Sequence, residues 1–324
     1  MRFWALLLLA MALDAAPKRV LYVTHTAGYR HDSIPASQEA MRAVAARSGS
    51  LEIVATEDLS QITAEGLRDF DALFFFTSGE LALSDSQKRD LLAFVSEGKG
   101  FGGAHSATDT LYAWPEYGEL IGAYFDGHPW AQEVEIHVED PEHPATRLLE
   151  HSFRISDEIY QFRGLSRDKV RVLLTLDESS VDLTRPDVRG SDGEFPLAWC
   201  HSFGNGRVFY TALGHGDETW EDPRFQDMLE GALLWLVGEV TGDATPRRAS
   251  PVVAGVRQVG DYIEIYGEGL TSGSTAITWE GAARLAGAAV LVDGERLRVI
   301  YASPSQVNAA LDGRPLGTVS VQAR

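Results

Sequence analysis

The chain of 324 residues is short of several things, and each shortage excludes a class of protein. It has one cysteine, Cys200, so no internal disulfide forms. It has no C-x-x-C and no H-E-x-x-H, the compact signatures of zinc sites. It is poor in positive charge: 28 Lys and Arg stand against 47 Asp and Glu, a formal net charge of −19. That balance argues against a nucleic-acid partner, which needs a basic face, and against docking on an anionic membrane. It suits a neutral ligand such as a sugar, or a cation. Long apolar runs are also missing. The longest is "FWALLLLAMAL" (3–13), eleven residues and too short to span a bilayer comfortably. With Arg2 before it and "DAAPK" after it, the run reads as a signal peptide over residues 1–16, and the protein as exported, periplasmic or extracellular. No membrane insertion is expected after cleavage. Cys200, in "PLAWCHSF", reads as a buried, inert thiol.

Beyond the leader, strand and helix signals alternate. "RVLYVTH" (19–25), "LEIVAT" (51–56) and "DALFFFT" (71–77) are apolar and β-branched or aromatic, as in strands buried on both faces. Between them lie "SIPASQEAMRAVAARSG" (33–49), with Ile34, Ala40, Met41, Val44 and Ala45 on one face, and "AEGLRDF", which Thr63 can cap. Ser84 and Gln87 form a capping-box pattern at the head of "SQKRDLLAFVSEG", and "KGFGGAH" (99–105) follows as a fourth strand. This is an α/β chain with a mostly parallel sheet flanked by helices. The middle third is richer in strands: 132–139, 153–162, 170–176, and a hairpin over 195–213 marked by Asn205-Gly206. Asp222 and Pro223 start a closing helix over 222–238. Residues 17–240 thus form one α/β domain. Residues 241–251, "TGDATPRRASP", are a linker. Short strands and Gly-rich turns over 252–324 read as a small all-β sandwich.

All nine histidines precede residue 216, and several stand where a strand becomes a loop. In open α/β sheets ligands bind beyond the carboxyl ends of the strands. His25, His105 and His215 end strands, and His31 follows the first, so these should meet at one rim. His128, in "DGHPW", lies in a loop after the next helix. Gly103-Ala104-His105-Ser106-Ala107 has the form of a nucleophile elbow, with small residues at a crowded turn. A histidine at its tip makes no ordinary acyl intermediate. It serves as a general base, a hydrogen-bond donor or a metal ligand, or it is a buried side chain bonded to a carbonyl. His215 lies between glycines in "GHGDETWEDPRF", beside Asp217 and Glu218, which offer carboxylates or else cap a helix. In "SDEIYQF", alternation puts Ile155, Asp157 and Ile159 on one face and Glu158 and Tyr160 on the other. Imidazoles plus a carboxylate make a ligand set for zinc or a similar divalent metal, here His31, His105, His128 and His215. Without a metal, His105 or His215 would be the base and Glu158 the acid. Trp130 and Arg185 are candidate sugar contacts, by stacking and hydrogen bonding. His137, His143, His151 and His201 read as structural or solvated.

The segments "THTAGYRHDSIP", "GGAHSATDT", "GHPW", "VEDPEHPAT", "DEIYQF", "PLAWCHSFGNGRVFYTALGHGDETWEDPRF" and the closing helix together resemble the ThuA-like (trehalose utilisation) family, over about residues 18–238. The resemblance implies a flavodoxin-related, class I glutamine amidotransferase-like fold. It implies no glutaminase activity, because the elbow lacks the amidotransferase cysteine. It further implies a carbohydrate-processing role on a disaccharide or its 3-keto derivative, with a pocket of His31, His105, His128, Glu158 and His215. A hydrolase or lyase is the expected enzyme, and a non-catalytic sugar-binding protein on the same scaffold is the alternative. "EIYGEGL" and "LRVIYASPSQVNAAL" resemble an immunoglobulin-like module of exported bacterial proteins. An adhesion protein whose working part is that module is a third reading.

Overall fold

The structure, a computed structural model, describes residues 16–189, 195–246, 252–271, 275–282, 284–303 and 305–322. The expected signal peptide, Ala16 apart, and linker residues 247–251 lie outside them.

The first region is built on strands β1 (Lys18–Val23), β2 (Leu51–Thr56), β3 (Ala72–Phe75), β4 (Gly100–Ala104), β5 (Trp130–Val138), β6 (Ser152–Ile159), β7 (Arg171–Leu176), β8 (Pro196–Phe203) and β9 (Gly206–Thr211). They form a single sheet in the order β2-β1-β3-β4-β9-β8-β7-β5-β6. The pairs β2-β1, β1-β3, β3-β4 and β4-β9 are parallel. This half has the 2-1-3-4-5 order of doubly wound flavodoxin-like sheets, with β9 as fifth strand. The remaining pairs are antiparallel. The sheet is therefore mixed, and the mostly parallel expectation fits its first half.

Local chemistry sets the elements. Helix α1 (Ile34–Ser48) has Pro35 in its first turn and ends at Gly49 with φ 68°. It buries Ile34, Ala40, Met41, Val44 and Ala45, the face that the 3.6-residue spacing predicts. Thr63 caps α2 (Ala64–Leu67), and Ser84 with Gln87 forms the capping box of α3 (Asp85–Ser96). Helix α4 (Pro115–Ile121) follows β4, and α5 (Asp217–Glu221) precedes α6 (Pro223–Leu236), which Asp222 caps. Phe74, Phe75 and Phe76 are buried together, each worth about 1.5–3 kcal/mol of transfer free energy. Residues 196–211 form the expected hairpin, but its two turn residues are Gly204 and Asn205. Only the glycine has positive φ (58°), as in a type II′ turn.

The second region is antiparallel and all-β. Strands β10 (Val252–Val259), β11 (Tyr262–Glu268), β12 (Ala276–Ala282), β14 (Arg298–Ala302) and β15 (Gln306–Ala310) form one sheet in the order β10-β11-β15-β14-β12. Strands β13 (Ala289–Val292) and β16 (Val319–Gln322) form a second with a two-residue strand. Ile263, Ile265, Val290, Val299, Val307 and Val321 share one apolar cluster, separate from that of the first region. No helix of the described residues is long and apolar enough to cross a membrane.

Candidate functional site

Four loops at the carboxyl ends of β1, β3, β4 and β9 build the site. The loop after β1 carries Tyr29, His31 and Ser33. Gly28 lies against Gly79 of the loop after β3, so closely that a Cβ on Gly79 would meet the Gly28 nitrogen at 2.4 Å. Gly79 itself holds φ 76°. A side chain there would part the two loops.

Beyond β4 the chain turns sharply into a short 3₁₀ segment, His105–Thr108. His105 takes φ 44°, a left-handed conformation rare outside glycine. Gly103 must be small, because a Cβ there would lie 2.7 Å from that of Ala107. The elbow read from the sequence is thus real, and an imidazole stands at its tip. The ring is fully buried. Its Nδ1 lies 2.8 Å from the Ala212 carbonyl oxygen, which only accepts, so Nδ1 carries the hydrogen and Nε2 faces the site. The Tyr160 hydroxyl lies 2.9 Å from Nε2 and can donate to it.

His215 is held from behind. Asp157, buried on β6, accepts hydrogen bonds from the backbone N–H groups of Gly214 (2.7 Å) and His215 (3.0 Å) and from the Thr219 hydroxyl (3.0 Å). The Ser33 hydroxyl donates to the His215 carbonyl at 2.7 Å. Ser33 occupies the N-cap position of α1 without a side-chain cap bond, its oxygen being used here instead.

His31, His105 and His215 each offer a nitrogen, and the three nitrogens lie within 4.8 Å of one another. Their rings stand edge-on, at interplanar angles of 85°, 85° and 72°. Glu158 enters from β6. Its Oε2 lies 3.5 Å from His105 Nε2 and 3.3 Å from His215 Nδ1, and these two nitrogens are 3.3 Å apart. Oε1 lies 3.1 Å from Nδ1 of half-exposed His128.

Burial, together with neighbouring His105 and His215, lowers the pKa of His31 to about 3, Glu158 only partly opposing them. His31 is 5% exposed and stays neutral, and its ring makes no hydrogen bond among the described residues. Burial alone would raise the Glu158 carboxyl, but the hydrogen bonds and charges of His105 and His215 hold it well below the usual carboxylate range. The bond to Glu158 raises the His215 pKa, against burial. Glu158 is therefore ionised, and the general-acid role expected for it gives way to that of ligand or proton acceptor.

Tyr29, His31, Asp32, Ser33, His215, Gly216, Asp217 and Glu218 line an opening of about 220 Å³. Asp217 and Glu218 sit in the first turn of α5. Tyr29 is 63% exposed and stands edge-on to His31, its ring 4.9 Å away.

Several expected residues fall elsewhere. His25 turns away, with Nδ1 2.9 Å from the Glu57 carbonyl oxygen. Trp130 is 1% exposed, packs against Phe195 and donates to the Asp182 carbonyl, so it offers no face for stacking. Arg185 is exposed and pairs with Asp187. His128 reaches the site only through Glu158 and is outside the three-nitrogen cluster. His143 and His201 are buried, His137 pairs with Asp177, and His151 is exposed. Burial pushes the Cys200 thiol pKa far up, consistent with an inert side chain. Sequence reading missed Asp157 as an anchor, Tyr160 as a partner of His105, and Tyr29. The interrupted alternation of "SDEIYQF" held the signal for the first two.

Residues 19–236 match the family model described as trehalose utilisation (ThuA). Among solved structures, a ThuA-like protein of Bacteroides uniformis is similar at 25% identity and a TM-score of 0.57, covering 70% of this chain and 94% of its own. A ThuA-like protein of Parabacteroides merdae is similar at 19% identity and a TM-score of 0.56, with coverages of 72% and 98%. Comparison with curated proteins gives no match.

Proposed function

Because the chain belongs to the ThuA-like (trehalose utilisation) family, we propose that it is a carbohydrate-processing enzyme, a hydrolase or lyase acting on a disaccharide or its 3-keto derivative. One observation carries the proposal: His31, His105, His215 and ionised Glu158 converge at the carboxyl ends of parallel strands.

The donor set fits a divalent metal. Ligands bound at 2.0–2.1 Å in a tetrahedron are about 3.3–3.4 Å apart. The three separations among His105 Nε2, His215 Nδ1 and Glu158 Oε2 are 3.3, 3.3 and 3.5 Å. His31 brings a third nitrogen within 4.8 Å of those of His105 and His215, and its ring makes no hydrogen bond among the described residues. The Ala212 carbonyl orients His105 as an outer partner of a ligating imidazole would. When bound, such an ion supplies Lewis acidity toward a carbonyl or a water.

The chain's own groups do the rest. Glu158, through its second oxygen, accepts a proton from water, or from a C–H beside a ketone. The Tyr160 hydroxyl is a donor for a developing oxyanion near His105. Tyr29 provides an aromatic face for a sugar ring at the opening, and Asp32, Asp217 and Glu218 provide acceptors for its hydroxyls. Export rests on the sequence of residues 2–16, and the immunoglobulin-like reading of residues 252–324 on the sequence resemblance.

The test is turnover. Disaccharides and 3-keto-disaccharides are screened with wild type and His105→Ala. Product from wild type alone supports the reading. Tight sugar binding without product replaces it by the binding-protein alternative.

A further inference from the structure

The opening above the histidines carries charged side chains of one sign. Asp32, Asp217 and Glu218 line it together with Tyr29, and no Lys or Arg does. All three carboxylates are exposed, and none has a hydrogen bond or ion pair among the described residues. Neighbouring acidic residues differ. Glu57 accepts from Arg30 at 3.1 and 2.7 Å, and Asp222 accepts from Arg224 Nε at 3.0 Å. The cations nearest in sequence to the opening are thus already paired outside it. Glu218 also folds back on the site: a Cβ on Gly216 would meet its Oε2 at 2.7 Å, so that oxygen lies over the residue beside His215.

A structural role for these carboxylates is to settle helix starts, which favour negative charge. Asp217 and Glu218 stand in the first turn of α5, and Asp32 precedes the start of α1. That role needs no ligand. A second observation points to one. His31 belongs to the same lining, is 5% exposed, and its ring makes no hydrogen bond among the described residues. A buried imidazole left unbonded calls for a polar partner from outside the chain. The opening of about 220 Å³ is smaller than the roughly 300–1,000 Å³ of pockets that enclose a whole ligand. Part of a disaccharide would therefore remain among the carboxylates.

We propose that Asp32, Asp217 and Glu218 set the charge of the sugar that this site takes: neutral and amino sugars enter, and uronates and sugar phosphates are turned away. The inference rests on the carbohydrate reading above. One sugar unit enters toward His31, and the other stays between the three carboxylates and Tyr29. There an ammonium gains an ion pair and a hydroxyl gains an acceptor. A carboxylate or phosphate meets like charge, with no Lys or Arg in the lining to offset it. At roughly 8 Å and an effective dielectric of about 50, one carboxylate changes the binding of a unit charge about fourfold. Three together separate a neutral sugar from its uronate about 30–100-fold at low salt.

The probes are trehalose and its 3-keto derivative, each with C6 of one ring as the alcohol, the carboxylate or the amine. Kd by calorimetry and kcat/KM are measured for wild type and for a double variant, Asp217→Asn with Glu218→Gln. Wild type should prefer the alcohol to the carboxylate about 30–100-fold, and the amine to the alcohol at least about fourfold. The double variant should lose a few-fold on the alcohol, because an amide oxygen is the weaker acceptor, and keep only about a fourfold preference over the carboxylate. Salt at about 1 M, where the Debye length is about 3 Å, should shrink the wild-type preference likewise. Carboxylates that only settle helix starts would lower the melting temperature of the variant and leave the preference unchanged. That result, or equal affinity of wild type for alcohol and carboxylate, overturns the inference and leaves the carbohydrate reading intact. If wild type neither binds nor turns over any probe, the carbohydrate reading falls and the inference falls with it.

Discussion

The two regions share a backbone anomaly and use it differently. Among the described residues five non-glycine positions have positive φ. In the β region they are Ala286, Asp293 and Asp312, each followed by a glycine also at positive φ, at 76°, 84° and 78°. That is the two-residue turn that suits the twist of a hairpin. In the α/β region they are His105 and Leu111, followed by Ser106 and Tyr112. No turn rule asks for an imidazole there. The cost is met by Gly79, the Ala212 carbonyl and the Tyr210 hydroxyl, which donates to the His105 carbonyl at 2.7 Å. The β region also has no histidine. Positive φ with Asp-Gly marks a fold-forming turn, whereas positive φ on a buried histidine marks a site.

Substitutions can break this contrast. The largest effect is expected for His105→Ala, a loss of about 10³-fold in kcat/KM for sugar turnover, with retained folding by circular dichroism. Asp157→Ala comes next. It removes the acceptor of three backbone N–H groups and a hydroxyl, and should cost about 2–4 kcal/mol in denaturant unfolding. The acid limb should follow His31. Its folded pKa is below its unfolded one, so its contribution is complete above about pH 6.5 and is lost as pH falls toward 3. His31→Gln should flatten the fall in melting temperature over that window. A smaller change is expected for Asp293→Ala, about 1 kcal/mol from a left-handed alanine, with turnover unchanged. The smallest is Tyr29→Ala, a few-fold rise in KM and an unchanged kcat, for an exposed stacking face worth about 1 kcal/mol.

Much of this arrangement was legible in the sequence, for identifiable reasons. Ser84 with Gln87, and Asp222 with Pro223, act within one turn of their helices, so local reading found them. His31, His105, Glu158 and His215 sit at strand ends or on a strand whose alternation is readable. Contacts between distant strands were not legible. Alternation puts Asp157 on a face with Ile155 and Ile159, but Gly214, His215 and Thr219, which donate to it, lie 57 to 62 residues away and depend on how β6 faces α5. Tyr160 meets His105 because the strand ends at Ile159 and the next residue turns inward. Trp130 misled because proximity to His128 in sequence does not fix its face, and β5 points it into the core.

The central claim is that four side chains from separate elements hold one divalent cation. Calorimetric titration of chelator-treated protein with zinc at pH 7.5, for wild type, His31→Ala and Glu158→Gln, tests it most directly. One ion per chain for wild type, with affinity reduced at least tenfold in each variant, is the expected result. Absence of binding by wild type, or equal binding by all three proteins, would contradict it.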